Sequence, residues 1–446
     1  MISTSGIRGV VGAGLEPVMI SRYASAFGAF LKKGKVVVGR DSRPSGEIYR
    51  MSVIAALRAV GLDVVDIGVV PTPTVEIAVK SLKAAGGICI TASHNGSEWN
   101  ALKFFDKNGE FIDRTALESI KNIYASDEIP FKNHSSLGSL LIDNFWNEKH
   151  IKHILALKII DRNKIKKARL KIVVDAINGA GSYVLPELLE RLGAKVVRIN
   201  CDGNGDFVHK PEPVPQNLKT LAQAVKKHKA HLGMACDPDA DRLALVDETG
   251  TPIGEELTLA LAVKYILLRI RGNVVVNLST SRVTESVASE FGCKTLYTPV
   301  GEANVIAGMK KYRAVIGGEG NGGVIYPEFH YGRDSLIGAA IISGLIAQMG
   351  MPLSQIVGTL PIFHYIKVKD SVPEGFDSKL DNVEKAAQKS FDKLTIDRRD
   401  GLRFDFSRGW FQIRKSNTEP IYRLIVETDS KKLTHLLKTE IMNILK

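Results

Sequence analysis

Apolar residues run along this chain in short unbroken blocks, such as Val36–Val38 in "KVVVGR", Ile172–Val174 in "KIVVD" and Val274–Val276 in "NVVVN". A strand with one wet face alternates apolar and polar positions; these blocks do not, which predicts strands buried on both faces. Each block leads through a polar loop, a stretch of helical spacing and a glycine to a second apolar block. The copies are "KVVVGRDSRPSG" running to "GLDVVDIGVVPTPT", then "KIVVDAINGAGSYVLPELLERLGAKVVRIN", then "NVVVNLSTSRVTESVASEFGCKTLYTPVG". Each is a βαβ unit, and three spaced copies predict three similar α/β domains with mixed sheets flanked by helices. The tail differs. "RFDFSRGWFQIRKSNTEPIYRLIVETDS" alternates as antiparallel strands do, and "KKLTHLLKTEIMNILK" is amphipathic, predicting a smaller α+β domain. Boundaries are expected near Glu148, Asp247 and Leu360, giving domains 1–148, 149–247, 248–360 and 361–446.

Hydrophobic residues at 44% and charged residues at 24% describe a soluble globular chain. The longest apolar stretch, "SLIGAAIISGLIAQM", is shorter than a bilayer span, and no basic segment precedes an apolar one at the N-terminus. Cys89, Cys201, Cys236 and Cys293 show no CxxC spacing, so reduced thiols in a cytoplasmic protein are expected. The net charge of +12 suits either a polyanion or a small phosphorylated substrate. Much of the excess lies in "KHIKHILALKIIDRNKIKKARLK" from Lys149, whose helical spacing predicts a solvated helix and linker. No stacking platform, helix-turn-helix, zinc-finger or RNA-module signature accompanies it, so neither nucleic acid nor membrane is an expected partner.

The sharpest chemistry is in "ACDPDADRLALVDE". Asp237, Asp239 and Asp241 alternate over five residues, which would converge three carboxylates on one side of an extended loop. Like charges about 4 Å apart repel by roughly 4 kcal/mol at an effective dielectric near 20, and a hard divalent cation such as Mg²⁺ relieves that repulsion. An EF-hand is excluded by Arg242 at the position needing glycine. "RKSNTEP" from Arg414 offers a guanidinium, hydroxyls and an amide, a donor set suited to a phosphate dianion. "GGEGNGG" (Gly317–Gly323) fits the dinucleotide fingerprint only nominally. Pro327 stands where a helix should run, and Glu319 would repel a pyrophosphate, so a flexible loop gripping sugar hydroxyls is the better reading. "GRDSRPSG" is read as a structural turn whose arginines pair with acids. "TASHN" leaves a buried strand and is expected to expose Ser93. His94 beside it is poorly placed as a base, because neighbours on an extended chain point apart, and no GxSxG elbow is present. A serine near a cation site could instead carry a phosphoryl group.

Taken in order, "TSGIRG", "GRDSRPSG", "TASHN", "DPDADR", "TPVG", the glycine-rich loop and "RKSNTEP" resemble the α-D-phosphohexomutase superfamily over essentially the whole chain. The resemblance implies a Mg²⁺-dependent phosphohexomutase interconverting hexose 1-phosphate and 6-phosphate through a phosphoserine enzyme and a 1,6-bisphosphate. It implies that Ser93 carries the phosphoryl group and that, with Asp237, Asp239 and Asp241, it holds one Mg²⁺. Arg242 and Arg8 would contact the transferring group, and Lys103 would handle the proton. Glu319 and Asn321 would hold sugar hydroxyls, and Arg414, Ser416, Asn417 and Thr418 the non-reacting phosphate. A glucose 1,6-bisphosphate-type activator and a monomer or homodimer are also implied. Two positions depart from the family pattern. Gly96 replaces a proline, which would loosen the serine loop, and Gly323 stands where many relatives have histidine, with Asn321 where they have serine. Among substrates the archaeal-type "NGG" loop slightly favours glucosamine phosphate over mannose or glucose phosphate. Alternatives of other classes are a Mg²⁺-dependent phosphatase and a basic nucleic-acid-binding protein.

Overall fold

The structure, a computed structural model, describes residues 2–3, 6–126, 128–416 and 421–446. Among these, the first sheet has eight strands in the order Ile2–Ser3, Gly6–Val11, Trp99–Phe105, Gly86–Ile90, Lys35–Arg40, Asp63–Val69 and Leu140–Ile142, with Gly14–Leu15 beside Gly6–Val11. Lys35–Arg40 lies parallel to both neighbours, and Val36, Val37 and Val38 are fully buried, as their unbroken block predicts.

The next two sheets repeat one plan. The order is Lys195–Ile199, Lys171–Asp175, Leu232–Cys236, Leu243–Asp247 in the second and Thr295–Thr298, Val274–Asn277, Ile316–Glu319, Gly323–Ile325 in the third. In both, three parallel strands end in an antiparallel hairpin partner. The first sheet has the same ending, since Gly86–Ile90 runs parallel to Lys35–Arg40 and returns antiparallel through Trp99–Phe105. The repeat therefore sets three hairpin connections at equivalent places, outside the carboxyl ends of parallel strands, where open α/β sheets form their clefts. These connections are residues 91–98, 237–242 and 320–322.

The tail folds as an antiparallel sheet of His364–Ser371, Ile421–Thr428, Gly409–Lys415, Leu402–Phe406 and Thr395–Asp397. Helices Phe376–Ser390 and Lys431–Leu445 cover it through Phe376, Val383, Leu437 and Ile441. The sequence's division into three similar α/β domains and a smaller last one matches this architecture. The long apolar stretch is a buried helix, Ser335–Met349, and no helix among the described residues is long and apolar enough to cross a membrane. All four cysteines are free thiols.

The basic segment after Lys149 departs from expectation. Its helices Trp146–Ala156 and Arg162–Ala168 do expose lysines, but Ile151, Ile154, Ile165 and His150 are buried. His150 bonds Thr74 Oγ1 (2.8 Å) through Nδ1 and Asp334 (3.0 Å) through Nε2. His330 bonds the same Asp334 carboxylate (3.2 Å), and its Nδ1 lies 3.3 Å from Glu76. Asp334 also caps the buried helix by accepting from the N–H groups of Leu336 and Ile337. This chain of buried polar groups clamps the first domain to the third. Burial opposes charge on His330, but its bond to Asp334, its contact with Glu76 and their negative charges overcome that, and its pKa is pushed up to about 9. A histidine raised in the folded state contributes stability fully below its unfolded value near 6.5 and loses it as pH rises through about 9. Glu76, raised to about 8 chiefly by burial, acts in the same direction. His330→Gln is accordingly expected to flatten the alkaline loss of stability by up to about 3 kcal/mol. Melting curves at about pH 6.5 and about pH 9.5 check it, and equal losses in both proteins would contradict it.

Candidate active site

The serine connection is fixed from below. Ser93 adopts φ +50°, a left-handed conformation costing about 1 kcal/mol or more for a non-glycine residue. It persists because its surroundings over-determine it. The Thr91 hydroxyl accepts from the Ser93 N–H (2.9 Å) and donates to Asp41 (2.6 Å). Asp41 in turn accepts from Arg43 Nε (2.8 Å). The fully buried Arg43 fork donates to the carbonyls of Ser93 (2.5 Å), Asn95 (2.8 Å), Gly96 and Trp99 (3.0 Å). "GRDSRPSG" is thus the structural element that holds the loop, with Arg40 paired to Glu47.

Three expectations about this loop are corrected. Ser93 is not exposed: it is 4% accessible, because the left-handed bend turns it inward, and its Oγ donates to Asp237 Oδ2 at 3.0 Å. The same bend removes the extended geometry that was expected to separate it from His94, whose Nδ1 lies 3.4 Å from Ser93 Oγ. Burial and the charges of Arg242 and Arg8 hold His94 well below the usual histidine range, so its imidazole is neutral. Gly96 does not loosen the loop, since Arg43 grips its carbonyl. The nearest atoms a Cβ there would meet are those of the Glu98 carboxylate, at 2.2 Å, the end of a flexible side chain that can swing aside.

The three aspartates do converge, though through a tight turn and not through alternation on an extended loop. The Ala240 N–H donates to the Asp237 carbonyl (2.9 Å), and Ala240 has φ +53°. The carboxylate ligand atoms of Asp237, Asp239 and Asp241 lie within 4.8 Å of one another. Asp237 accepts through Oδ1 from the N–H groups of Asp241 (3.2 Å) and Arg242 (3.1 Å) and through Oδ2 from Ser93. Asp239 Oδ2 accepts from Lys103 Nζ (2.5 Å) and Thr72 Oγ1 (2.6 Å), and Asp241 Oδ2 from Arg333 (2.6 Å). The other oxygens, Asp239 Oδ1 and Asp241 Oδ1, are buried with no hydrogen-bond donor. Such orphaned acceptors are costly. Two of them converging beside a third carboxylate and a serine hydroxyl are the donor set a hard divalent cation requires. The residues fit Mg²⁺.

The electrostatics agree. Burial, then Asp241 and Asp239, push the Asp237 carboxyl well above the usual range. Burial would raise Asp239 too, but the Lys103 ammonium and its hydrogen bond hold it far below. Lys103, 2% accessible on Trp99–Phe105, would be lowered by burial; Asp239 and Asp241 outweigh that and hold it above the ordinary lysine value. Arg8 donates to Asn95 Oδ1 (2.6 Å). Arg242 stands off from Asp237 (3.9 Å), Asp241 (3.7 Å) and Glu212 (3.6 Å), and its buried Nε has no hydrogen-bond partner. Its guanidinium is placed to receive an anion.

The glycine-rich segment is a tight hairpin, not a flexible loop. Glu319 ends Ile316–Glu319 and Gly323 begins Gly323–Ile325. Glu319 accepts from Asn277 Nδ2 (2.8 Å) and the Gly301 N–H (3.2 Å) through Oε1, and from Arg333 (2.7 Å) and Asn321 Nδ2 (3.4 Å) through Oε2. Burial works against its charge; Arg333 and Asn277 overcome this and lower its pKa. Glu319 and Asn321 share a cleft of about 620 Å³ with His94, Arg242, Arg414 and Arg423. Arg414 Nε is buried there with no hydrogen-bond partner, and the Ser416 N–H donates to the Ile421 carbonyl (2.8 Å). Asn417 and Thr418, expected in the phosphate set, lie outside the described residues. Sequence reasoning missed Thr72, Asn277 and Arg333. Arg333 had one signal: "RDS" sets two charges directly before a long helix that carries no charge, a position that demands buried partners.

A serine beside an acidic triad, ringed by cations and next to a cleft that His94 and Arg242 line and that has a second cationic end in Arg414 and Arg423, defines a phosphoryl-transfer enzyme. The chain belongs to the phosphoglucomutase/phosphomannomutase family. Residues 1–130, 148–250 and 255–362 match the models of its α/β/α domains I, II and III, and residues 366–444 match its C-terminal domain. The chain is 36% identical to a phosphoglucomutase/phosphomannomutase of Thermococcus kodakarensis over 97% of its own length and 95% of the relative's. It is 31% identical to a phosphoglucosamine mutase of Methanococcus maripaludis, covering 99% of this chain and 97% of the relative. Among solved structures, a phosphoglucomutase/phosphomannomutase family protein of Burkholderia thailandensis superposes with a TM-score of 0.87 at 27% identity, covering 100% of this chain and 98% of that one.

Proposed function

We propose that the protein interconverts hexose 1-phosphate and 6-phosphate, with Ser93 as the phosphoryl carrier. One observation carries this reading: the Ser93 hydroxyl lies 3.0 Å from Asp237 in a triad with two orphaned carboxylate oxygens, and the neighbouring His94 and Arg242 line a cleft that also holds Arg414. In the proposed cycle, phospho-Ser93 donates its phosphoryl group to the free hydroxyl of a hexose monophosphate, giving a 1,6-bisphosphate. The intermediate turns over in the cleft and returns its other phosphate to Ser93. Lys103 handles the hydroxyl proton, and Arg242 and Arg8 hold the transferring oxygens. Glu319 and Asn321 hold sugar hydroxyls. Arg414 and Ser416, together with Asn417 and Thr418 outside the described residues, hold the phosphate that is not reacting. Asp237, Asp239 and Asp241 would hold one Mg²⁺, which when bound neutralises charge on the phosphoryl oxygens. A carrier serine and two phosphate positions are what a reorienting bisphosphate needs; a phosphatase needs only the first.

The sugar is proposed to be glucosamine phosphate, with mannose or glucose phosphate as the second reading; the "NGG" loop supports the order. Domain limits near residues 148, 247 and 360, a monomer or homodimer, and a reducing cytoplasm consistent with four free thiols complete the proposal. Assay of glucosamine, mannose and glucose 1-phosphates in parallel tests it. The expected result is isomerisation without free phosphate and the highest kcat/KM for glucosamine 1-phosphate. Phosphate release without a 6-phosphate product would make the enzyme a phosphatase.

A further inference from the structure

Arg333 lies in none of the sequence motifs and is not part of the cleft wall, yet it touches both halves of the site from behind. Its NH2 donates to Asp241 Oδ2 (2.6 Å), its NH1 to Glu319 Oε2 (2.7 Å) and its Nε to Glu302 Oε2 (3.1 Å). Its backbone N–H donates to Glu302 Oε1 (2.8 Å), so Glu302, first residue of helix Glu302–Tyr312, fixes the arginine at both ends. One planar fork thereby spans three carboxylates: one from the metal loop, one from the sugar hairpin and one from a helix start. The side chain is almost wholly buried, where charge-assisted bonds are strong and loss of either partner is costly.

Gly323 fits the same picture. A Cβ at that position would stand 2.3 Å from Arg333 Cδ and 2.9 Å from its Cγ. The arginine stem runs through the space that a side chain at 323 would need, so the two positions exclude each other. The glycine that departs from the pattern of many relatives is the opening through which Arg333 reaches the site.

We infer that Arg333 is a positioning residue for both halves of the reaction site: it orients the Asp241 carboxylate toward the cation and the Glu319 carboxylate toward the sugar. With Oδ2 of Asp241 engaged by the fork, Oδ1 is the oxygen left to a ligand. Without the fork, Asp241 is free to turn toward Lys103 or Arg242, each 3.7 Å away, and Glu319 loses its charged partner. Lysine would keep the charge but not the span, since an ammonium is a single point and cannot serve three carboxylates in a plane. The sugar half rests on the reading of Glu319 given above; the metal half rests on the triad alone.

Two variants test this. Arg333→Lys keeps the charge and loses the fork. Gly323→Ala keeps the arginine and all three carboxylates but displaces the stem. Both are expected to weaken Mn²⁺ binding by about 10-fold or more, read by calorimetric titration without sugar, as loss of groups that orient metal ligands does. Both are also expected to raise KM for hexose 1-phosphate about 10-fold. Glu319→Gln is the control for the sugar half. If it raises KM, a variant at 333 or 323 that moves only one of the two affinities, or neither by more than about twofold while lowering the melting temperature, overturns the inference. If Glu319→Gln leaves KM unchanged, the reading of the sugar loop fails instead, and the Mn²⁺ titration alone decides the role of Arg333. Should Arg333→Lys fail to fold, Gly323→Ala gives the decision.

Discussion

Ser93→Ala is expected to lower mutase kcat by at least about 10⁴-fold while leaving the fold intact. Phosphate-monoester cleavage without catalysis is among the slowest reactions known, and the catalyst must supply a barrier reduction of roughly 20 kcal/mol or more. A cycle that passes its phosphoryl group through one hydroxyl has no path once that hydroxyl is gone. The fold should survive because the bonds that hold the loop use Thr91, Arg43 and backbone carbonyls, not Ser93 Oγ. Turnover with a hexose 1-phosphate, set beside the melting temperature, checks both halves of the statement. A variant with full activity would place the phosphoryl carrier elsewhere.

Asp239→Asn should do damage of a different kind. It removes a triad carboxylate, and turnover is expected to fall by at least about 10³-fold whatever the Mg²⁺ concentration. It also strips Lys103 of the partner at 2.5 Å, leaving a buried ammonium with Asp241 at 3.7 Å as its remaining carboxylate. Breaking a buried pair from one side typically costs about 3–5 kcal/mol. The melting temperature should therefore fall even in the presence of a chelator, where no metal contributes in either protein. Unchanged activity would remove the metal assignment; unchanged stability would show that Lys103 does not depend on Asp239.

Much of the fold was legible because local pattern and global architecture agree. The unbroken valine blocks can be stable only between two layers of helix, and three copies in series make three such sandwiches. The short motifs were legible because each carries its own chemistry: three aspartates in five residues have few uses other than a cation. Three things could not be read from the sequence. The left-handed φ at Ser93 depends on Arg43, fifty positions earlier, and without it the chain looks extended and Ser93 exposed. His150 of the basic segment looks solvated until Asp334 arrives from a distant element, and His330 until Glu76 does. Arg333 has no motif at all, because its meaning lies in three carboxylates from a loop, a strand end and a helix start that lie apart in the sequence. Spacing along the chain reports chemistry within a loop; it does not report which loops meet.

The most direct test of the central claim is peptide mapping by mass spectrometry after incubation with a hexose 1,6-bisphosphate and then with a hexose monophosphate. The account predicts a single phosphoryl group on the peptide containing Ser93, transferred to sugar when the monophosphate is added and absent in Ser93→Ala. Mutase turnover by a protein that never carries phosphate on that peptide, or carries it on another residue, would contradict it.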